Sequence, residues 1–400
     1  MTSATSNLTQ AETRRPKLTI DFNPTRSRKP PKRIPELHGL RGLAIAMVVF
    51  FHYISFAIQT RPQGLMGFLF SRSRLLWCGV DLFFVLSGFL IGGILLDSRD
   101  SPNYFKTFYI RRFCRIVPIY LLFAACVVLA YWLIYRPVGA RLDWAFAGTL
   151  PWYSYISFAQ NMWMAKFLAP GMKVMDITWS LAVEEQFYLL LPAIIRFVRR
   201  SALPRVFLTG IFIAPILRIY FYMHFPKHFT APYLLLPCRM DSFFVGALCA
   251  YWSRDPETWK KLVARRIWIQ ITLLVLVLGA LVMNESPFAP FTEWLGFDWI
   301  AVLFAAAMML ALTNTEGVIG RALRWKWLRG LGTIAYGTYL FHMLVYCLCM
   351  GLIAGHGYWL ASWKDLGVTV LSLGITLALA KLSWRYFEGP IVRRGHIWQY

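Results

Sequence analysis

Of 400 residues, 58% are hydrophobic, 17% aromatic and only 15% charged, with a mean hydropathy of +0.51; these proportions exclude an ordinary soluble globular domain. The formal net charge of +23 raises nucleic acid as a partner, but the basic residues are distributed as membrane topology requires, so no polyanion is needed and no nucleic-acid partner is expected. The cysteines (Cys78, Cys114, Cys126, Cys238, Cys249, Cys347 and Cys349) are odd in number and form no Cys-x-x-Cys pair, which indicates neither a zinc site nor a disulfide framework, and no metal.

Residues 1–35 combine Ser, Thr, Pro and charge without apolar periodicity and read as a disordered basic cytoplasmic arm. Its eight Lys and Arg outweigh Glu12 and Asp21, which suits a solvated tail that helps to fix orientation, with attraction to anionic inner-leaflet lipids as the alternative. The arm is long and polar and no Ala-x-Ala-like site follows the first apolar run, so a cleaved signal peptide is not expected. Residues 36–392 form one membrane domain. Within it about ten apolar runs are long enough to span, at roughly 39–60, 77–97, 116–135, 179–195, 206–225, 232–252, 266–284, 297–313, 330–353 and 364–386. They predict an all-α fold, a polytopic membrane bundle of about ten transmembrane helices, followed by a short cytoplasmic tail over 393–400. With the N-terminus inside, the inner segments hold 28 Lys and Arg and the opposite loops 8, which places both termini in the cytoplasm. The sequence contains no internal repeat, no glycine-rich phosphate loop and no Gly-x-Ser-x-Gly elbow.

Ionisable residues inside the spans are costly at membrane depth and mark function by default. Arg41 and His52 lie in the first run; eleven residues of helix turn about 1100°, roughly 20° past three turns, so the two share a face. Counting about 1.5 Å per residue from the predicted edges places His52 roughly 20 Å from the inner edge, Asp81 at about 24 Å and Glu184 and Glu185 at about 21–23 Å. Arg239 and Asp241 fall at about 16–20 Å and His342 at about 18 Å by the same rise. One layer in the outer half of the membrane is expected to gather them. Ser180, Glu184 and Tyr188 share a helix face, as do Tyr339, His342 and Tyr346. Interhelical ion pairs, such as Arg239 with Asp241 or a glutamate, are the structural alternative for part of this set.

Such a layer suits proton abstraction from a hydroxyl, with His52 as base and Asp81 or Glu184 orienting the imidazole. Arg111, Arg112 and Arg115 stand at the mouth of the third span, where guanidinium forks favour phosphate. A transporter or flippase with a proton relay is the alternative, although the paired broken helices that would support it are not evident.

The chain resembles the acyltransferase 3 family of integral membrane acyltransferases. The resemblance runs from about Pro35 to Val392 and rests on Glu36-Leu37-His38-Gly39-Leu40-Arg41-Gly42 with the Arg41-x10-His52 spacing, Gly79-Val80-Asp81-Leu82-Phe83-Phe84-Val85-Leu86-Ser87-Gly88-Phe89-Leu90-Ile91 and Arg111-Arg112-Phe113-Cys114-Arg115-Ile116-Val117-Pro118. It continues with Thr178-Trp179-Ser180-Leu181-Ala182-Val183-Glu184-Glu185-Gln186-Phe187-Tyr188, Arg239-Met240-Asp241, Tyr336-Gly337-Thr338-Tyr339-Leu340-Phe341-His342 and Phe387-Glu388-Gly389-Pro390. It implies transfer of an acyl group, commonly acetyl, from acyl-CoA as cosubstrate to a hydroxyl of a glycan, lipid-linked or related acceptor, with no permanently bound cofactor, in a bacterial inner membrane. It also implies that His52 is the catalytic histidine and that Arg41, Arg111, Arg112 and Arg115 engage the donor, with Glu185, Arg239, Asp241, Tyr339 and His342 in supporting roles. His38 stands where the family usually has Asp, so any role of that carboxylate is absent or altered here. The chain ends soon after the tenth run, so a stand-alone transferase without a fused hydrolase-like domain is expected.

Overall fold

The computed structural model of the protein describes residues 34–58, 64–148, 150–283 and 286–400. Among these there is no strand. Ten long helices fall at the ten predicted positions: α1 (Pro35–Phe50), α2 (Gly79–Asp97), α3 (Tyr104–Ala130), α4 (Thr178–Phe197) and α5 (Leu203–His224), then α6 (Leu236–Trp252), α7 (Arg266–Ala280), α8 (Phe297–Thr313), α9 (Lys326–Cys349) and α10 (Trp363–Ser383). Helical hydrogen bonding satisfies the backbone within each segment, as a lipid environment demands. Local signals set the starts. Proline occupies the first turn of α1, α5 and α6, where its missing N–H has no helical partner to lose. Ser362 and Asp365 form a reciprocal capping box at α10.

Among the described residues, seven helical segments, built on α1, α2, α3, α5, α8, α9 and α10, are long and apolar enough to cross a membrane, and Pro256–Ala264 with α7, bent by 68°, is an eighth if the bent pair counts as one span. The protein is a multi-pass membrane protein. Two of the ten predicted spans, α4 and α6, fall short of that test. Glu184, Glu185 and Gln186 dilute α4, and α6 has only 17 residues. Large apolar side chains such as Leu129, Phe212, Leu274 and Val370 are exposed on α3, α5, α7 and α10, the faces suited to lipid.

Two crossings fix the interior. At α1 against α9, a Cβ on Gly42 would lie 1.9 Å from Leu328 O, and one on Gly332 would lie 2.0 Å from His38 O. At α2 against α6, a Cβ on Gly88 would lie 1.9 Å from Phe243 O, and one on Gly246 would lie 2.1 Å from Val85 O. Glycine is needed at both because the backbones touch, the close packing that stabilises helix pairs in lipid.

The expected arm over 1–35 lies outside the described residues except for Ile34 and for Pro35, which opens α1. The expected tail over 393–400 continues a short helix, Gly389–Gly395, and residues beyond it pack back on α3: Thr107 Oγ1 donates to Gln399 O at 2.8 Å. All seven cysteines are free thiols.

Candidate active site

His52 lies in a π-helical turn, Phe51–Ser55, that follows α1. Such turns alter the face a side chain occupies and recur at functional sites. Its Nδ1 is 2.9 Å from Val48 O and 3.3 Å from His342 Nε2. His342 Nδ1 is in turn 2.6 Å from Tyr339 O. Carbonyl oxygens only accept, so both rings carry their proton on Nδ1, and His342 Nε2 accepts from His52. That leaves His52 Nε2 as the basic nitrogen at the wall of the cavity it lines. His342 is wholly buried and held from behind: Tyr53 donates to His342 O at 2.8 Å and stacks on Tyr346 with centroids 4.5 Å apart.

The cavity beside His52 has a volume of about 1020 Å³ and is walled by rings, among them Phe56, Trp77, Trp179, Tyr233 and Phe288. Three cations, Arg72, Arg74 and Lys173, and the carboxylate of Asp176 also line it, and Lys173 Nζ is 2.6 Å from Asp176 Oδ2. Burial opposes the ammonium's charge, but the adjacent Asp176 outweighs it and raises the Lys173 pKa.

A second cavity, about 230 Å³, opens on the other side of Tyr339 and Val80, residues that line both. Arg41, Arg112 and Arg115 line it, with Ser87, Glu184 and Tyr188. Glu184 accepts from both Ser87 and Tyr188. Arg112 stands 5.5 Å from the Tyr188 ring and Arg115 5.3 Å from that of Trp384. Between the cavities the Tyr339 hydroxyl donates to Ile177 O at 2.7 Å and also meets Ser180 Oγ. Val80 and Tyr339 are the residues that the two linings share.

Several expectations change. Asp81 does not orient His52: its Oδ1 is 2.5 Å from Arg239 Nη2, and both side chains are fully buried. Arg239 pairs with neither Asp241 nor a glutamate. Asp241 is instead 2.7 Å from Arg218 Nη1, and Arg218 also binds Asp298. Glu184 faces the arginines rather than His52. The depth count misplaced it because Lys173, Asp176 and Ile177 line the cavity beside His52, so the chain has already entered the interior before α4 begins. Glu185 is partly buried, and among the described residues its Oε1 meets no hydrogen-bond partner. Arg111 does not line the arginine cavity; its Nε and Nη2 donate to Trp398 O at 3.0 and 2.6 Å. Among the described residues no group of three His, Cys, Asp or Glu could hold a metal ion.

Residues passed over in the sequence include Arg218, Lys173 and Asp176. Arg218 sits mid-way along an apolar run and carries the same signal that singled out Arg239. Lys173 and Asp176 lie in a connecting loop, where charge is ordinary, and no pattern sets them apart.

A domain model described as an acyltransferase domain matches residues 34–385. The O-acetyltransferase OatA of Staphylococcus aureus is 27% identical over 398 residues, covering 94% of this chain and 60% of that protein. The peptidoglycan O-acetyltransferase OatA of Listeria monocytogenes is 27% identical over 387 residues, covering 92% of this chain and 57% of its own length. A putative peptidoglycan O-acetyltransferase of Bacillus subtilis, YrhL, is also 27% identical, over 383 residues, with 90% and 55% covered. The chain thus spans 60% or less of the length of these relatives. No solved structure matches. With the domain model covering most of its length, the chain belongs to the acyltransferase 3 family.

Proposed function

We propose that the protein transfers an acetyl group from acetyl-CoA to a glycan hydroxyl, with His52 as general base. The observation that supports this most is the pair of cavities meeting at Tyr339 and Val80: one offers guanidiniums for a phosphorylated donor, the other a basic nitrogen in an aromatic chamber suited to sugar faces. His52 Nε2 takes the acceptor's hydroxyl proton as that oxygen bonds to the acyl carbon. The carbon–sulfur bond breaks, and the leaving thiolate takes the proton back from Nε2. His342 Nε2, accepting from His52 Nδ1, stabilises the transient imidazolium. Relatives named for peptidoglycan make a cell-wall glycan the first acceptor to try. The Lys and Arg bias supports a reading in which the arginine cavity and both termini face the cytoplasm and the histidine cavity faces the far side of a bacterial inner membrane; on that reading the acetyl group crosses as it is transferred.

Purified protein incubated with radiolabelled acetyl-CoA and peptidoglycan fragments should place label covalently on the glycan. Label that stays on the donor, with substrate crossing vesicles unchanged, would favour a transporter instead. Orientation is read separately. In intact cells an impermeant thiol reagent should miss a cysteine at position 106 and reach one at 289, in a background lacking the native thiols.

A further inference from the structure

The arginine cavity, at about 230 Å³, is smaller than the roughly 300 Å³ at which pockets for drug-sized ligands begin. It admits a thin arm ending in a thioester. The nucleotide must then rest outside, at the mouth, with the phosphate nearest the arm within reach of the cavity's arginines. On the donor reading given above, something at that mouth has to hold it.

The segment after Gly395 packs along α3 beside residues that line the cavity. The Tyr400 ring lies 4.8 Å from the guanidinium of Arg111, the neighbour in sequence of Arg112, which lines the cavity. The segment is clamped along α3 by the bond from Thr107 to Gln399 O and by the two-pronged donation from Arg111 to Trp398 O. Tyr400 packs partly buried against the core, but the Trp398 ring is not used as core. Trp398 is 46% exposed, with Lys106 Nζ 4.9 Å from its centroid. An indole with open area, its backbone carbonyl held by Arg111 and its ring beside Lys106, brings together the stacking platform and the phosphate-binding charge that a nucleotide requires.

We propose that residues 396–400, held on α3, form a docking surface for the nucleotide end of the acyl-CoA donor: Trp398 stacks the base, and Arg111 and Lys106 meet phosphate. The surface adds affinity for the donor's nucleotide and takes no part in the transfer.

The test is equilibrium binding of CoA and of 4′-phosphopantetheine, which lacks the adenosine part, to the purified full-length protein in detergent. Wild-type protein should bind CoA about tenfold or more tightly than phosphopantetheine, the scale of one stacked base. Trp398→Ala and Arg111→Gln should each weaken CoA about tenfold while phosphopantetheine binding stays as it was, and Trp398→Phe should restore most of the loss. Equal wild-type affinity for the two ligands would overturn the proposal and leave the donor reading standing, as would variants that weaken both ligands alike. Wild-type protein that binds neither ligand would overturn the donor reading, and this surface with it.

Discussion

Two helix crossings in this bundle use the same packing device for different ends. Both α1 against α9 and α2 against α6 bring backbones into contact at glycines, and both carry ionisable side chains at membrane depth. At the second, Asp81 and Arg239 pair at 2.5 Å with no exposure, and the guanidinium lies 3.8 Å from the Phe297 centroid. Its charge is neutralised within the protein and closed off from open space, although Arg239 Nε and Nη1 and Asp81 Oδ2 meet no hydrogen-bond partner among the described residues. At the first, the hydrogen bonds of His52 and His342 leave one ring nitrogen unused at a cavity wall. The difference teaches that a buried ionisable group is not by itself a catalytic one: what matters is whether its neighbours complete it or leave a lone pair facing open space.

The sharpest way to break this comparison is to uncouple the ion pair. Asp81→Ala leaves Arg239 buried without its counter-charge, at a cost of about 3–5 kcal/mol. Thermal unfolding in detergent should show a large loss of stability, and membrane yield should fall. Asp81→Leu combined with Arg239→Met should recover most of that loss, since replacing both ions with apolar groups removes the desolvation cost. A double variant as unstable as the single one would mean that the pair does more than hold helices.

His52→Ala should behave in the opposite way. With no charge stranded, unfolding should remain near that of the wild type, while acyl transfer falls about a hundredfold or more, the usual scale of general-base catalysis. Near-native turnover in this variant would remove His52 from the mechanism. Next in size is the donor site. Arg115→Ala should raise the KM for acetyl-CoA about ten- to a hundredfold, equivalent to about 1.5–3 kcal/mol for a charge-assisted hydrogen bond. Unchanged donor affinity in inserted protein would reduce that arginine to a topology signal.

Much of the fold was legible because spanning helices announce themselves by length and apolarity, and all ten positions hold a helix. What failed was the assumption that every helix starts at the membrane surface. Asp176 and Ile177 lie beside His52, so α4 begins inside and Glu184 lies further in than a count from the edge allows. Partner choice was illegible for a different reason. Depth restricts which residues can meet, but helix order around the bundle decides which do, and a single sequence carries little of that: Arg218, unnoticed on α5, takes Asp241, while Arg239 turns to Asp81 on α2. The histidines were found because motif and depth agreed on both. Their contact, one ring accepting from the other, required the α1–α9 crossing.

That contact sets the smallest expected effect and separates two views of His342. If His342 only stabilises the imidazolium formed on His52, its loss removes one hydrogen bond, worth about 0.5–1.5 kcal/mol or roughly two- to tenfold. His342→Ala should then lower kcat by that amount without changing the KM for acetyl-CoA, because the arginine cavity lies beyond Tyr339. The methyl side chain also opens space behind His52, so His342→Gln, which keeps an acceptor and most of the volume, should be the milder variant. Combined with His52→Ala, either substitution should add nothing, because residues acting as one unit are not additive. A His342→Ala enzyme as inactive as His52→Ala would instead make His342 the base and His52 its support.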